Sequence, residues 1–315
     1  YIGIIGGTGT IGSIIVKYLL QLQTHFHVLI GGRRSIKEIS MSTFYNSERL
    51  KYNQMNYNND VELDNFCSQC LLVINAVGPS FKINDKIALH ALRNNCHYID
   101  IGGYGILRDL LKPYEKSIEA QKLCFIIGVG WMPGISGVFS KTIIETHLNS
   151  PENTNFNIYY GAVDNWSYSS TYDLAASSMG KTRSYVYSHG KEIQVSPFRY
   201  THHKFFPFIG HKKICMPSFD EQLTQLATSL KQIRKISTFI MLNDYISMGK
   251  FMFIKIFYKH NLNKATLMLQ DDYQRLVKKE NKWGSVICQV SKIEPERKID
   301  TFYYLYTVSY THLRA

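Results

Sequence analysis

Twelve residues at the start of the chain limit what it can become: Tyr1-Ile2-Gly3-Ile4-Ile5-Gly6-Gly7-Thr8-Gly9-Thr10-Ile11-Gly12. An apolar run long enough for one buried strand stops at Gly6, and Ile14, Ile15, Tyr18 and Leu19 then recur at helical spacing. The loop between them is almost all glycine and threonine. Glycines there permit a tight turn, close approach of main chain to a diphosphate, and packing of helix on strand. The helix N-terminus adds unpaired N–H groups that attract an anion. Both Gly7-x-Gly9-x-x-Gly12 and Gly6-x-x-Gly9-x-x-Gly12 fit known dinucleotide-binding spacings. A ligand-free glycine turn is the plain alternative. Context favours the nucleotide, because Phe26-His27-Val28-Leu29-Ile30 follows as a second strand and completes a βαβ unit.

Residues after that second strand bear on which dinucleotide is held. A site for NAD usually places Asp or Glu about 20 residues beyond the glycines to take the ribose 2′-hydroxyl, whereas an NADP site supplies arginine. Gly31-Gly32-Arg33-Arg34 stands there, and no acid occurs before Glu38. A guanidinium binds a 2′-phosphate through paired charge-assisted bonds that a carboxylate would oppose. The expected cofactor is therefore NADP(H), with Gly7, Thr8, Gly9, Thr10, Ile11 and Gly12 on the diphosphate, and Arg33 first and Arg34 second on the extra phosphate. The other reading of the arginines is a solvated cap on the sheet edge.

Strand and helix patterns keep alternating. A helix near Ser35 to Ser42 and a strand near Leu50 to Tyr57 are expected first. Cys70 to Val77 then reads as a parallel strand buried on both faces. Ligands in such sheets lie outside the carboxyl ends of strands, which puts Val77, Gly78 and Pro79 against the cofactor. Asn84 is expected to cap a helix carrying Ile87, Leu89, Ala91 and Leu92. Cys96 to Ile101 is a fifth strand, 106–121 a helix divided at Pro113, Leu123 to Gly128 a sixth strand, and 137–147 a further helix. The fold class is α/β, a Rossmann-type doubly wound parallel sheet.

Gly6-Gly7-Thr8-Gly9-Thr10-Ile11-Gly12, Gly32-Arg33, Ile74-Asn75-Ala76-Val77-Gly78-Pro79, His97-Tyr98-Ile99-Asp100-Ile101-Gly102-Gly103 and Pro133-Gly134-Ile135-Ser136 together resemble the NADP-binding domain of the saccharopine dehydrogenase family. The resemblance implies an NADPH-dependent reductase whose second half is a substrate-binding and often dimerising domain. It departs at one point: the family's lysine-pathway reductases carry acids on both sides of the Pro-Gly pair, where this chain has Met132 and Ser136. Asp100, Tyr104 and Ser136 are the candidate catalytic residues, placed by position at the carboxyl edge of the sheet, with Trp131 as a packing group. Asp100 can accept a bond from an iminium or anchor its own loop. Hydride transfer to or from an amino-acid-derived C=N bond is the function this implies. A C=C (enoyl-type) reductase and a non-catalytic NADP sensor are the alternatives.

Beyond Ser150-Pro151 the pattern changes to strands in hairpins. Phe156 to Tyr160 alternates, Ser170 to Met179 suits a helix, and 184–187 pairs with 193–195 across His189-Gly190. A helix over 220–230, an apolar stretch over 251–258, a helix over 264–278 and a hairpin of 284–290 with 299–308 follow. A second α+β domain over 149–308, mostly antiparallel with helices on one face, is expected beside an N-terminal domain of 1–148. Trp166, Tyr168 and Tyr172 are candidate pocket walls or plain core. The lack of an initiator Met and the strand that starts at Tyr1 read as a fragment, and 309–315 as a non-native tail.

The net charge is +12, but its lysines are scattered, so nucleic acid is not an expected partner; a small-molecule substrate and a possible homodimer are. No apolar run reaches the ~18 residues of a membrane span, so no membrane partner is expected. Six cysteines include one close pair, Cys67-x-x-Cys70, which lacks the further ligands a zinc site needs. Reduced thiols in the cytoplasm and no metal are the expectation. The Tyr-x-x-x-Lys spacing of short-chain dehydrogenases occurs at Tyr187–Lys191 and Tyr200–Lys204, off any plausible helix.

Overall fold

The computed structural model describes residues 1–22, 25–35, 47–102, 105–147, 151–179, 184–218, 221–293 and 298–307. Contacts divide the described residues into two units, one ending at Gly130 and the other beginning at Trp131. This division falls ahead of helix α7 (Ile135–His147), whereas the sequence boundary was expected at 148/149. The helix joins the second unit because its buried Ile143 and Ile144 pack with Phe156, Ile158 and Val286 there.

The first unit is a six-stranded sheet in the order β3-β2-β1-β4-β5-β6. Its strands are β1 (Ile2–Ile5), β2 (Val28–Gly32), β3 (Leu50–Gln54), β4 (Leu72–Asn75), β5 (His97–Asp100) and β6 (Phe125–Ile126), all pairing in parallel. Side chains alternate across a strand, so neighbouring residues serve different cores. Ile4 packs with Val16 of α1 (Thr10–Gln21), along with Val28, Ile30 and Ile74. Ile5 faces the other layer, which is built from Leu63, Phe66, Ile87 and Ala91. Those residues come from α2 (Asp60–Cys67) and α4 (Lys86–Arg93). Full burial of one such side chain contributes roughly 1.5–3 kcal/mol. This strand order reverses between β1 and β4, where a doubly wound sheet binds its nucleotide.

Three local expectations change. Asn84 does not start α4: it has φ 51° and ends the short helix α3 (Ser80–Ile83), while Asp85 precedes Lys86. Helix α2 was not expected, yet Asn59 accepts from the N–H groups of Val61 and Glu62, and Glu62 accepts in turn from the Asn59 amide. That reciprocal cap is readable as Asn59-x-x-Glu62. The helix expected at Ser35 to Ser42 lies outside the described residues except for its first position. Pro113 does sit in a 3-10 turn (Lys112–Tyr114) between α5 (Gly105–Leu111) and α6 (Glu115–Ala120).

The second unit holds an eight-stranded sheet. β7 (Thr154–Val163) pairs in parallel with β12 (Lys235–Leu242), and every other pairing in this sheet is antiparallel. β8 (Tyr185–Ser188) and β9 (Lys191–Gln194) turn through His189 and Gly190, both at positive φ, as a tight hairpin requires. The hairpin of β10 (His202–Phe206) and β11 (His211–Pro217) and strand β12 were not expected from sequence. β13 (Trp283–Ile293) and β14 (Lys298–Thr307) form the expected last hairpin. Helices α8 (Tyr168–Met179), α9 (Pro197–Tyr200), α10 (Glu221–Ser229), α11 (Tyr245–Phe257) and α12 (Leu262–Lys279) complete the unit. They cover both faces rather than one: α7 and α10 pack with Phe156 and Ile158, and Leu276 of α12 packs with Tyr159 and Phe239. Of the stretch 251–258, residues 251–257 are helical and Tyr258 is the C-cap, because Asp244 starts α11 by accepting from the Ser247 N–H at 2.8 Å.

Candidate nucleotide site

The loop after β1 is shaped by what cannot be added to it. A Cβ at Gly12 would stand 2.2 Å from the Gly6 carbonyl oxygen and 2.7 Å from the Gly7 Cα, contacts no side chain tolerates. Gly6 has φ 83° and lies against the Ala76 carbonyl, which brings the loops after β1 and β4 side by side. Gly9 precedes α1 in extended conformation, makes no side-chain cap, and donates its own N–H to the Gly6 carbonyl at 2.9 Å. No acidic residue occupies the first turn of α1. The first N–H groups of the helix thus keep their partial positive charge for an anion. This backbone fits a diphosphate: Gly7, Thr8, Gly9, Thr10, Ile11 and Gly12 would line it.

The carboxyl end of β2 presents both arginines in solvent-exposed positions. They differ in engagement. Arg34 Nη2 donates to the Thr8 carbonyl at 2.6 Å, tying the β2 exit to the glycine loop. Arg33 offers an exposed side chain while its carbonyl accepts from Gln54 Nε2 at 3.4 Å. Tyr52 steadies the same backbone, its hydroxyl within bonding distance of the Gly32 and Arg34 carbonyls. Among residues 25–35 and 47–54 only Glu48, lying before β3, is acidic, so no carboxylate follows β2 among the described residues of that edge. An arginine and no acid is the arrangement that accepts a 2′-phosphate. Tyr52 was not singled out from sequence; nothing in its spacing signals it.

Val77, Gly78 and Pro79 follow β4, with the Val77 N–H donating to Asn75 Oδ1 at 3.1 Å. That asparagine belongs to a buried polar group. Asp100 Oδ2 accepts from Asn75 Nδ2 at 2.8 Å and from the Tyr98 hydroxyl at 2.7 Å, and Asp100 Oδ1 accepts from the Gly102 N–H at 2.8 Å. Burial, reinforced by the neighbouring Asp100, pushes the Tyr98 pKa far above the usual phenol range. With three donors on its oxygens and 2% exposure, Asp100 ties the β4 and β5 exits together, the contacts its anchoring reading calls for. A small pocket opens beside it, lined by Asn75, Ser80, Phe81, Asn84 and Asp100.

Tyr104 lies outside the described residues. Ser136 stands in the second unit, fully buried in the first turn of α7, with its hydroxyl unbonded among the described residues and its N–H on the Trp131 carbonyl. The Pro133-Gly134 turn before it is pinned by Gln222 Oε1, which accepts from the Gly134 N–H at 2.8 Å. Trp166 stacks on Tyr273 at 4.6 Å and Tyr172 is buried, both as packing groups; Tyr168 is half-exposed and donates to Asn263. Tyr187 and Lys191 lie on two strands of one hairpin, and Lys204 lies on β10 past the end of α9, so neither shares a helix face.

Cysteines offer no second site. Cys67 and Cys70 are buried with Cys96, whose thiol donates to the carbonyls of both at 3.1 Å. Burial pushes Cys70 up to about 12 and Cys96 to about 11. Among the described residues no group of three His, Cys, Asp or Glu is placed to hold a metal, and no helix is long and apolar enough to cross a membrane.

Residues 2–124 match the family model described as the saccharopine dehydrogenase NADP binding domain. No curated protein sequence matches the chain. Among solved structures, the apo histidine-tagged saccharopine dehydrogenase (L-Glu forming) from Saccharomyces cerevisiae is similar at 12% identity and TM-score 0.63, covering 99% of this chain and 88% of that one. At that identity it shows the fold across both units. A probable dehydrogenase from Thermotoga maritima reaches TM-score 0.47 at 9% identity, over 95% of this chain and 74% of that one. The matched span holds the glycine loop, both arginines and the Asn75–Tyr98–Asp100 group, so over residues 2–124 the chain is similar to the saccharopine dehydrogenase NADP binding domain.

Proposed function

We propose that this protein is an NADP(H)-dependent oxidoreductase that transfers hydride to or from a C=N bond in an amino-acid-derived substrate. The observation that carries the reading is the conjunction of a side-chain-free diphosphate cradle with Arg33 and Arg34 at the β2 exit. When bound, the cofactor supplies or accepts the hydride; the chain supplies position and exclusion of water. Gly12 lets α1 approach the diphosphate, Arg34 holds the loop through Thr8, and Arg33 neutralises the extra phosphate. Asp100 keeps the ends of β4 and β5 in register through Asn75 and Gly102. An iminium carbon is already activated by its protonated nitrogen, so such a reaction does not require a conspicuous acid–base motif. The C=N assignment rests on the family likeness, and the replacement of flanking acids by Met132 and Ser136 argues for a substrate other than saccharopine.

The test is titration of the purified protein with NADPH and NADH, followed by a screen of amino-acid and oxo-acid pairs for NADPH consumption. Selective NADPH binding with turnover on an imine-forming pair is the expected result. Turnover only on an enoyl acceptor would move the reading to C=C reduction. Selective binding with no turnover on any acceptor would favour an NADP sensor, a role for which the buried Ser136 leaves room. Indifference between the two nucleotides would overturn all three.

A further inference from the structure

Helix α11 is built unlike a surface helix. Its inward side is buried as expected, with Phe251 and Ile254 packing against Leu242, Ala265 and Leu269. Its outward side is apolar too: Ile246, Phe253, Ile256 and Phe257 are 51%, 38%, 65% and 65% exposed. A Cβ on Gly249, between them, would meet nothing within 4 Å. These positions recur every three or four residues, so they form one stripe along the helix. Lysines of α11 stand off that stripe. Lys250 pairs with Asp271 and Asp272 at 3.4 and 3.2 Å, and Lys255 is half-buried, with burial lowering its pKa. A helix apolar on all sides is ordinarily covered. The stripe exposes on the order of 500 Å² of apolar surface, at the upper end of what monomers tolerate without a partner.

Charge around the stripe selects the partner. From Tyr245 to Gln270 the sequence contains Lys250, Lys255, Lys259, His260 and Lys264 and not one Asp or Glu. Lys259, His260 and Lys264 are exposed where α11 passes into α12. A second copy docked here would set these like charges against each other. A phospholipid bilayer offers an apolar layer for the stripe and an anionic surface for its basic end simultaneously. At 13 residues α11 is far too short to cross, so it would lie in the interface. We propose that the outward face of α11 docks this protein on an anionic phospholipid surface, Phe253, Ile256 and Phe257 entering the acyl boundary and Lys259 and Lys264 resting on headgroups. This goes beyond the oxidoreductase reading and departs from the expectation of no membrane partner.

Co-sedimentation of the whole chain with vesicles tests it, comparing phosphatidylcholine alone with phosphatidylcholine containing about a third phosphatidylserine. The protein should pellet with the anionic vesicles and largely remain in solution with the neutral ones. Lys259→Ala and Lys264→Ala should each weaken the anionic binding about five-fold. Ile256→Glu with Phe257→Glu should abolish it, while circular dichroism and NADPH affinity stay unchanged because the mutated side chains face away from the core. Equal partition with and without vesicles would overturn the proposal. So would a dimer at micromolar concentration that Ile256→Glu converts to monomer, since that result assigns the stripe to a second copy.

Discussion

Arg33 and Arg34 are neighbours in sequence and should separate in experiment. Arg33 extends an exposed guanidinium, whereas Arg34 already spends one N–H on the Thr8 carbonyl at 2.6 Å. Removing Arg33 deletes the group available to a 2′-phosphate, and a hydrogen bond to a charged partner is worth about 1.5–3 kcal/mol, or roughly 10- to 150-fold in affinity. Arg33→Ala should therefore weaken NADPH by that factor and leave NADH within about two-fold, since NADH carries hydroxyl at the same position. Arg34→Ala instead releases the glycine loop that serves both nucleotides, so both should weaken together, by about five- to ten-fold for one lost bond of ~1 kcal/mol. Quenching of protein fluorescence, titrated with each nucleotide at fixed ionic strength, gives the four dissociation constants. Equal losses of NADPH and NADH in Arg33→Ala would refute the assignment of the extra phosphate, and selective NADPH loss in Arg34→Ala alone would exchange the two roles.

Three other outcomes follow from single sites. Gly12→Ala forces a methyl to within 2.2 Å of a main-chain oxygen, so NADPH and NADH binding should both fall below detection by calorimetry while the second unit's sheet persists in circular dichroism. Of the six cysteines only Cys124 is exposed, and burial pushes Cys215 and Cys288 up to about 12, so an aromatic disulfide reagent at pH 8 should titrate one thiol in the native protein and six after denaturation. Burial works to raise the Asp244 pKa, but hydrogen bonds from Arg275 and Ser247 outweigh it and hold the carboxyl at about 2. A folded-state pKa below the unfolded value near 4 stabilises the fold above pH ~4 and loses that stabilisation as pH falls towards 2. After solvent screening the effect is about 1 kcal/mol, and urea melts of wild type and Asp244→Asn should draw together below pH ~4 and converge only as pH reaches about 2.

The parts of this molecule that could be read from sequence are those fixed by local chemistry. Gly6 and Gly12 specify a turn that a side chain would block, and the short apolar runs at Ile2–Ile5 and 72–75, bounded by turn residues, read as buried strands. His189-Gly190 defines its hairpin by the same reasoning, through positive φ at both positions. Readings failed where a partner distant in sequence decides. β10 and β11 are rich in Lys and His and show no clean alternation, and they become strands because Cys215 and Phe206 pack with Tyr159 and Phe239. Helix α11 reads as apolar without direction, and Asp244 and Arg275, 31 residues apart in the chain and joined at 2.7 Å, decide its start. Ser136 was placed by its position at the carboxyl edge of the sheet, and its burial in the first turn of α7 is not legible from that position.

The same distinction applies within the nucleotide site. Diphosphate recognition depends on main chain, so a few glycines announce it; the loop that meets the rest of the cofactor depends on side chains that sequence position alone does not orient. Asp100 illustrates the point. Its place at a strand end suits anchoring more than catalysis, and its contacts are of the anchoring kind: Oδ2 accepts from Asn75 at 2.8 Å and from Tyr98 at 2.7 Å. Removing that carboxylate takes its acceptor from the buried Tyr98 phenol, at a cost of about 1–3 kcal/mol, while the Asn75 amide keeps the Tyr98 oxygen at 3.2 Å. Asp100→Ala should thus lower global stability measurably. An acid–base residue would instead leave stability intact and flatten the pH profile of turnover, so denaturation and pH–rate measurements on one variant separate anchor from catalyst.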